Sequence, residues 1–321
     1  MNREILISVE QVSRYYGDYC AVNNVSFTVE RGEVLGFLGP NGAGKSTMMQ
    51  IISGVLTAST GTVSIAGFDI IDAPKSAKAH LGFLPEQPPL YIDLTVDEYL
   101  HYAARLRGMS KANIPAAIEH SKRRCGLETS GKRLIRNLSK GFQQRVGIAQ
   151  AIIHAPAVVI LDEPTEGLDP NQIREIRDLI RELGNDHGVI LSTHILPEAQ
   201  TVCDRVLIIH EGRLVLDERL DKLHKDKHKN SVRIAFKRPP SIETIQTIAG
   251  MDNVEQIDNQ RFRISFNPDS QAIDKLTQQS AHSCWGLFEM IPDTNTLEET
   301  FVRLTRGERQ ETLQKNNEVN T

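Results

Sequence analysis

A glycine-rich segment, GPNGAGKST at residues 39–47, has the residue types and spacing suited to holding a phosphate group. It matches the pattern G-x-x-x-x-G-K-[S/T], with Gly39, Gly44, Lys45 and Ser46 at the fixed positions. Glycines let the backbone turn so that successive N–H groups face one anion, and a helix starting at Lys45 adds the positive end of its dipole. We therefore predict a nucleotide site in which Lys45 bridges the β- and γ-phosphates and Ser46 binds Mg²⁺. The residues expected to contact the nucleotide in this loop are Gly39, Pro40, Asn41, Gly42, Ala43, Gly44, Lys45, Ser46 and Thr47.

A pair of acids, Asp162 and Glu163, ends the apolar run at residues 158–161. A carboxylate at the end of a buried strand can hold a metal ion, and the adjacent one can orient and deprotonate an attacking water. We predict that Asp162 is a metal ligand and Glu163 the general base, a role that contributes about 10²–10⁴-fold in rate. A solvated strand end with two acids is the alternative, and the phosphate loop in the same chain makes it the weaker explanation.

Short buried strands must hold this loop and these acids in place. Apolar runs alternate with segments of helical periodicity, and this alternation predicts an α/β fold around a mostly parallel sheet. A stretch from about 86 to 155 is mainly helical in pattern, and we interpret it as a helical subdomain inserted into the α/β core. The predicted strands lie at 33–38, 157–161 and 188–193, and the predicted helices at 45–54 and 170–183.

The pattern changes near residue 220, which predicts more than one domain. Residues 1–220 form the expected α/β core, and residues 221–230 are a polar segment interpreted as a linker. Residues 231–305 follow the order strand, helix, strand, strand, helix, strand, which is typical of a small ferredoxin-like α+β domain. Residues 306–321 have almost no apolar content and are predicted to be a disordered tail.

Composition narrows the class of partner. The chain has 321 residues, 40% of them hydrophobic, and a net charge of −4, so we expect no nucleic acid to be bound. Its four cysteines are widely spaced and predict neither a zinc site nor a disulfide framework. The sequence has no apolar stretch of about 18 residues and no signal-peptide pattern, so we expect a cytoplasmic chain that another subunit would hold at a membrane.

With these motifs in order, the chain resembles an ABC transporter ATP-binding protein over about residues 3–220. LSKGFQQRV at 138–146 stands where that family has its signature motif, shortly before the strand that carries the acid pair. The resemblance implies a P-loop NTPase core of RecA-like type and further roles at four positions. The implied residues are Tyr16 for stacking on adenine, Gln87 for the water and Mg²⁺, Asp169 in the loop after the acid pair, and His194 for the γ-phosphate.

Each of these four residues also has a simpler explanation. Tyr15 could take the stacking position of Tyr16, and Gln87 could belong to an ordinary loop between two proline-rich turns. An aspartate before a proline is a common helix N-cap, which would account for Asp169. His194 could be an ordinary histidine at the end of a strand.

The signature segment explains why a second subunit is expected. In the family, two subunits pack head to tail, and the signature of one contacts the nucleotide held by the other. The resemblance therefore implies that Ser139 and N–H groups around Gly141 donate to a γ-phosphate across a dimer of two copies, or of one copy and a paralogous ATPase. Lys140 and Phe142 depart from the family's usual glycine and glutamine. Lys140 could attract phosphate or point to solvent, and the polar contact of the missing glutamine is in doubt.

Three sequence segments resemble those of the ATPases of type-2 ABC exporters, including gliding-motility relatives. These segments are RLRG at 105–108, the variant signature at 138–146, and LEETFVRLT at 297–305. The resemblance implies export powered through a separate integral membrane permease, with this chain on the cytoplasmic face of the cell membrane. The alternatives are a soluble ABC ATPase acting on a ribosome or DNA, and a C-terminal domain that senses a ligand.

Overall fold

Strands in the described part of the chain form three sheets, two of which belong to the same unit as the predicted phosphate loop. The computed structural model describes residues 4–223, 231–248, 250–267, 270–292 and 301. The chain divides into two units, Met1–Leu220 and Asp221–Thr321.

The first unit holds two sheets and most of the helices. Its strands are β1 (Ile5–Tyr16), β2 (Tyr19–Glu30), β3 (Val34–Leu38), β4 (Thr60–Ile65), β5 (Phe68–Asp69), β6 (Leu81–Leu84), β7 (Val158–Asp162), β8 (Gly188–Thr193), β9 (Arg205–His210) and β10 (Arg213–Arg219). Its helices are α1 (Lys45–Ile52), α2 (Pro74–Ala79), α3 (Val96–Leu106), α4 (Ile114–Arg124), α5 (Lys140–Ile152), α6 (Pro170–Asp186) and α7 (Leu196–Val202). A short helix, α8 (Leu220–Leu223), spans the boundary between the units.

The central sheet has the order β10-β9-β3-β8-β7-β6 and is parallel except for the β9–β10 pair. Every residue of β3, β7 and β8 is buried, as expected for parallel strands covered on both faces. The register pairs Leu38 with Thr193 and Asp162 with Ser192, so the carboxyl ends of β3, β8 and β7 meet at one edge. This edge is where α/β sheets bind their ligands. The predicted mostly parallel sheet is confirmed.

An antiparallel sheet of order β2-β1-β4-β5 lies beside the central one, and the sequence did not predict it. Register shifts interrupt its pairing, for example between Val9 and Val12 of β1. Each shift changes which side chains face the core, so the alternation that identifies a half-buried strand is broken. One cluster of buried apolar side chains joins both sheets to α1 and includes Phe37, Met48 and Ile190.

The segment between β6 and β7 is helical, as predicted. It contains α3, α4, a short 3₁₀ turn at Ile135–Asn137, and α5. Thr95 and Glu98 form a capping box at the start of α3: the Glu98 N–H donates to the Thr95 hydroxyl at 3.3 Å, and the Thr95 N–H donates to the Glu98 carboxylate at 2.8 Å. The inserted helical subdomain of the predicted fold class is thus present.

The second unit is a four-stranded antiparallel sheet with two helices. Its elements are β11 (Ser231–Phe236), α9 (Ile242–Gln246), β12 (Met251–Gln256), β13 (Arg261–Phe266), α10 (Ala272–His282) and β14 (Leu287–Pro292). The strand order β12-β13-β11-β14 is that of the predicted ferredoxin-like domain. Phe236, Phe262, Leu276 and Trp285 belong to its apolar core.

Three segments that the sequence analysis singled out lie wholly or mainly outside the described residues. In the predicted linker at 221–230, only 221–223 is described, as part of α8. The predicted tail at 306–321 and the LEETFVRLT segment at 297–305, apart from Phe301, are outside. In the ranges that are described, no helix has the length and apolar character needed to cross a bilayer.

Candidate nucleotide-binding site

The phosphate loop lies between β3 and α1, and its backbone requires glycine at the last turn. Gly44 caps α1 with φ at 108°, a conformation that other residues rarely adopt. A Cβ atom at this position would also lie 2.5 Å from the carbonyl oxygen of Ala21. The fixed glycine of the motif is therefore explained by the local fold.

The Lys45 ammonium is folded back into the loop. Its side chain is only 6% exposed, and Nζ donates to the carbonyl oxygens of Gly39 at 2.9 Å and Pro40 at 3.4 Å. Nζ also lies 3.5 Å from Oε1 of Glu163. The cation is thus held at the point where the loop meets the acid pair.

Glu163 lies between two cationic or proton-donating groups. Its second oxygen, Oε2, is 3.0 Å from Nδ1 of His194. Because a carboxylate only accepts hydrogen bonds, the Nδ1 that faces it must carry the proton. Glu163 has a φ of 47° and donates its N–H to the Ser192 carbonyl at 3.0 Å. Left-handed backbone at a buried non-glycine residue stores strain of about 1–3 kcal/mol, a feature that clusters at functional sites.

Asp162 offers a carboxylate oxygen that needs a partner. The residue is 3% exposed, and Oδ1 is buried with no hydrogen bond to any described residue. Burial raises the pKa of this carboxyl, while the hydroxyls of Ser192 and Ser46 act in the opposite direction. A carboxylate without a partner beside a hydroxyl is a donor set that suits a hard cation such as Mg²⁺.

A cavity of about 400 Å³ joins the phosphate loop to Glu163, His194 and Tyr16. Tyr16 lines this cavity and Tyr15 does not, which favours Tyr16 for the predicted stacking role. The Arg14 guanidinium lies 4.7 Å from the centroid of the Tyr16 ring. Tyr19 also lines the cavity, a position that sequence reasoning missed.

The loop after β6 places Glu86 and Gln87 differently. Gln87 lines a neighbouring groove of about 690 Å³, together with Ser46 and Asp162. Glu86 lines both the groove and the cavity of the phosphate loop. Burial, and then the negative charges of Glu166 and Asp162, raise the pKa of the Glu86 carboxyl.

Sequence reasoning also missed Glu86 and Glu166. Both line the cavity of the phosphate loop, with Glu86 in the FLPEQPP segment and Glu166 in the EGLDP segment. No spacing rule singles out either acid, because their proximity follows from the pairing of β6 with β7.

The predicted signature residues stand at the start of α5. Ser139 is the N-cap and its hydroxyl accepts from the Phe142 N–H at 3.5 Å, which leaves its own proton for another acceptor. A Cβ atom on Gly141 would lie 2.6 Å from Cδ of Gln172 on α6, so a larger residue there would have to displace the Gln172 side chain. Neither Ser139 nor Gly141 lines the cavity of the phosphate loop.

Lys140 and Asp169 are both accounted for by contacts within the chain. The exposed Lys140 carries its ammonium against Gly167, where an added Cβ atom would collide with Nζ. Asp169 is the N-cap of α6, since Oδ1 accepts from the N–H groups of Asn171 and Gln172 at 3.0 Å each. The capping explanation of Asp169 therefore holds, and its contact across a dimer stays a prediction.

Comparisons with known proteins agree with this geometry. The sequence profile of the family described as ABC transporter matches residues 22–166. An uncharacterized ABC transporter ATP-binding protein of Bacillus subtilis (strain 168), YdbJ, is 32% identical over 96% of this chain and 98% of its own length. The Nod factor export ATP-binding protein I of Rhizobium meliloti (strain 1021) is 36% identical over 70% of this chain and 67% of that protein.

A solved structure extends the comparison to the fold. It is a dimeric structure of a post-hydrolysis state of the ATP-binding cassette MJ0796 bound to ADP and Pi. The two chains superpose with a TM-score of 0.60 at 25% identity, over 67% of this chain and 99% of the other. The family suggested by the motifs is confirmed: this chain belongs to the ABC transporter family, as one of its ATP-binding, ATP-hydrolysing proteins.

Proposed function

We propose that this chain powers export through a separate membrane permease, by binding ATP between two copies of itself and hydrolysing it. The observation that carries the proposal is the meeting of Lys45, Glu163 and His194 at the carboxyl edge of the parallel sheet. Nζ of Lys45 lies 3.5 Å and Nδ1 of His194 lies 3.0 Å from the Glu163 carboxylate. An anion-binding loop and a buried carboxylate between two proton donors are what hydrolysis of a terminal phosphate requires. The similarity to the Nod factor export protein supports the direction of transport.

The position of the signature supports a head-to-tail dimer. Ser139 and the N-terminus of α5 present hydrogen-bond donors, but they lie apart from the cavity of their own phosphate loop. Donors fixed at a helix N-terminus stabilise negative charge, so their acceptor would be the γ-phosphate bound by a second copy. The dimeric MJ0796 structure bound to ADP and Pi supports this arrangement.

Within each site, Glu163 would accept the proton of the attacking water. His194 holds its Oε2 and Lys45 lies near its Oε1, which fixes the orientation of the carboxylate. Ser46 and Asp162 would hold Mg²⁺, with a further oxygen from the loop after β6, where Gln87 is the predicted residue. When bound, Mg²⁺ would neutralise charge on the phosphates.

The groove beside the phosphate loop is where we expect the permease to bind. It lies between the sheet and α3 and is lined by aromatic side chains that include Phe83, Tyr91 and Tyr102. Tyr91 is 54% exposed and Tyr102 41% exposed, so an apolar surface is presented next to Asp162 and Gln87. A helix or loop of the permease seated there would sense closure of the nucleotide site. This chain would then be peripheral on the cytoplasmic face of the membrane.

The ATPase part of the proposal is tested with Glu163→Gln. This variant should bind ATP, lose about 10²–10⁴-fold in hydrolysis rate, and accumulate as dimers with ATP and Mg²⁺ in sedimentation experiments. Ser139→Ala in the same background should reduce the dimer fraction. A Glu163→Gln protein that remains monomeric at saturating ATP and Mg²⁺ would count against the dimer.

The transport part is tested by co-purification with a candidate permease, which would be a multi-span membrane protein found in the reading frame next to that of this chain. Tyr102→Arg should abolish co-purification, because it places a charge in the aromatic groove. The matched control is Ile71→Arg, at an apolar residue that is 58% exposed and outside the groove. Equal loss for both variants, or for neither, would reject the groove as the docking site.

A further inference from the structure

Glu198 is a buried carboxylate to which the proposed function gives no role. It lies in the first turn of α7, shortly after His194, and is 1% exposed. A buried charge is costly unless it is paired and hydrogen-bonded. The partners of Glu198 therefore indicate what it holds in place.

Three side chains from three segments of the chain bind this carboxylate. Oε2 accepts from the hydroxyls of Thr165 at 2.8 Å and Thr193 at 3.3 Å. Oε1 accepts from the guanidinium of Arg177 on α6 at 3.3 Å. Because a carboxylate only accepts hydrogen bonds, both hydroxyls must donate to it, and this fixes their orientation.

The contact with Thr193 acts on the backbone around His194. Thr193 is the last residue of β8, and its hydroxyl oxygen also accepts from the Ile195 N–H at 3.1 Å. This hydroxyl therefore connects the residues before and after His194, and Glu198 holds the hydroxyl. The His194 side chain is 41% exposed, so packing alone does not fix the direction of its ring.

The contact with Thr165 acts on the segment that follows Glu163. Thr165 is buried and lies in the turn that begins at Glu163, where the Glu166 N–H donates to the Glu163 carbonyl at 3.2 Å. Glu163 has a φ of 47°, and such backbone persists only when its surroundings support it. One carboxylate thus joins the segment of Glu163 to the segment of His194.

We propose that Glu198 is a positioning residue for ATP hydrolysis, which keeps the His194 ring aligned with the Glu163 carboxylate by binding the segments that carry them. Glu198 does not line the cavity of the phosphate loop, so it acts through these two residues and not on the nucleotide. The inference rests on the proposed roles of Glu163 and His194. Displacing a catalytic group by about 1 Å can cost about 100-fold in rate, so loss of this network should lower kcat and leave affinity unchanged.

The test measures kcat for ATP and, by calorimetry on the full chain with Mg²⁺, the affinity for the slowly hydrolysed analogue AMP-PNP. Thr165→Val removes one donor to the carboxylate and keeps the side-chain volume, and Glu198→Gln removes the charge. Each should lower kcat about tenfold or more and leave the affinity within about twofold of the wild type. Thr165→Ser, which keeps the hydroxyl, should retain the wild-type kcat.

Glu33→Gln is the matched control for the loss of a buried charge. Glu33 is 2% exposed, accepts from the Glu30 N–H at 2.8 Å and lies 3.6 Å from the Arg205 guanidinium. It directly precedes β3, so it lies at the edge of the sheet opposite the phosphate loop. Glu33→Gln should lower the melting temperature as Glu198→Gln does, while its kcat stays within about twofold of the wild type.

The ring signals of His194 in ¹H–¹³C NMR spectra give a readout that does not depend on activity. They should shift in Thr165→Val and Glu198→Gln, and remain as in the wild type in Thr165→Ser and Glu33→Gln. Unchanged kcat or unchanged His194 signals in the first two variants would overturn the inference, as would a parallel loss of AMP-PNP affinity or an equal fall of kcat in Glu33→Gln. A Glu163→Gln protein that hydrolyses ATP at the wild-type rate would instead overturn the proposed function.

Discussion

Removing the Lys45 ammonium should destabilise the chain as well as weaken nucleotide binding. Lys45 and Glu163 are 6% and 8% exposed at their side chains, and Nζ and Oε1 are 3.5 Å apart. At this distance and an effective dielectric constant near 20, the attraction is about 5 kcal/mol before desolvation is subtracted. Lys45→Met keeps most of the apolar stem and leaves Glu163 without its cation.

The size of this destabilisation depends on the charged and polar groups that remain around Glu163. Breaking a buried pair by removing one partner costs about 3–5 kcal/mol, because a buried charge is left uncompensated. His194 stays 3.0 Å from the other carboxylate oxygen, so we expect the lower part of this range, about 2–3 kcal/mol. For a domain of this size, that corresponds to a fall of roughly 5–10 °C in melting temperature.

Thermal unfolding without nucleotide measures this effect, and a double variant isolates its cause. Lys45→Met combined with Glu163→Gln should melt several degrees above Lys45→Met alone, because the uncompensated charge is gone. A fluorescent ATP analogue should bind weakly to both. The reasoning is refuted if Lys45→Met melts within 1 °C of the wild type, or if Glu163→Gln gives no recovery in the Lys45→Met background.

Three further predictions concern single positions. Gly141→Ala should lower ATPase activity, because the added methyl group forces the Gln172 side chain away from α5. Adding Gln172→Ala should restore part of the activity. A loss of activity that Gln172→Ala cannot relieve would contradict the steric explanation. Asp162→Asn should raise the unfolding free energy at pH 7 by about 1 kcal/mol, because burial raises the pKa of the wild-type carboxyl. The gain should shrink as the pH falls through that pKa, since the wild-type carboxyl then becomes neutral. A gain that grows in acid would be inconsistent with this cause. Burial lowers the pKa of His154 to about 4, so folding favours its neutral form. The wild type should therefore lose about 1–2 kcal/mol of unfolding free energy between pH 7 and pH 5, and His154→Gln should not lose it. Equal acid sensitivity of the two proteins in denaturant titrations would refute this prediction.

The parallel core of the fold was predictable because its strands are buried on both faces. Runs such as VVIL and GVILST are apolar throughout, and they alternate with helices of clear periodicity. The antiparallel sheet was not predictable in the same way. Register shifts in β1 break the alternation of buried and exposed residues, so the two-residue period typical of a half-buried strand is not maintained over its length.

The residues of the site also fall into those that the sequence could predict and those that it could not. The phosphate loop and acid pair were predictable because their chemistry depends on adjacent residues in one segment, from Gly39 to Thr47 and at Asp162 and Glu163. Glu86 and Glu166 were not, because their positions at the cavity depend on pairing between distant strands. The capping role of Asp169 was recognisable from the following proline, whereas the contact between Lys140 and Gly167 depends on how α5 packs beside α6.

The central claim is that the signature of one copy meets the phosphate loop of another, and cross-linking between two differently labelled chains tests it most directly. One chain would carry Ser139→Cys and the other Asn41→Cys, both with Glu163→Gln and with the exposed or half-buried Cys20 and Cys284 replaced by serine. With ATP and Mg²⁺, a short thiol cross-linker should join the two chains to each other, and neither chain to its own copy. Failure to cross-link in the mixture, or efficient cross-linking within a single chain that carries both cysteines, would contradict the account.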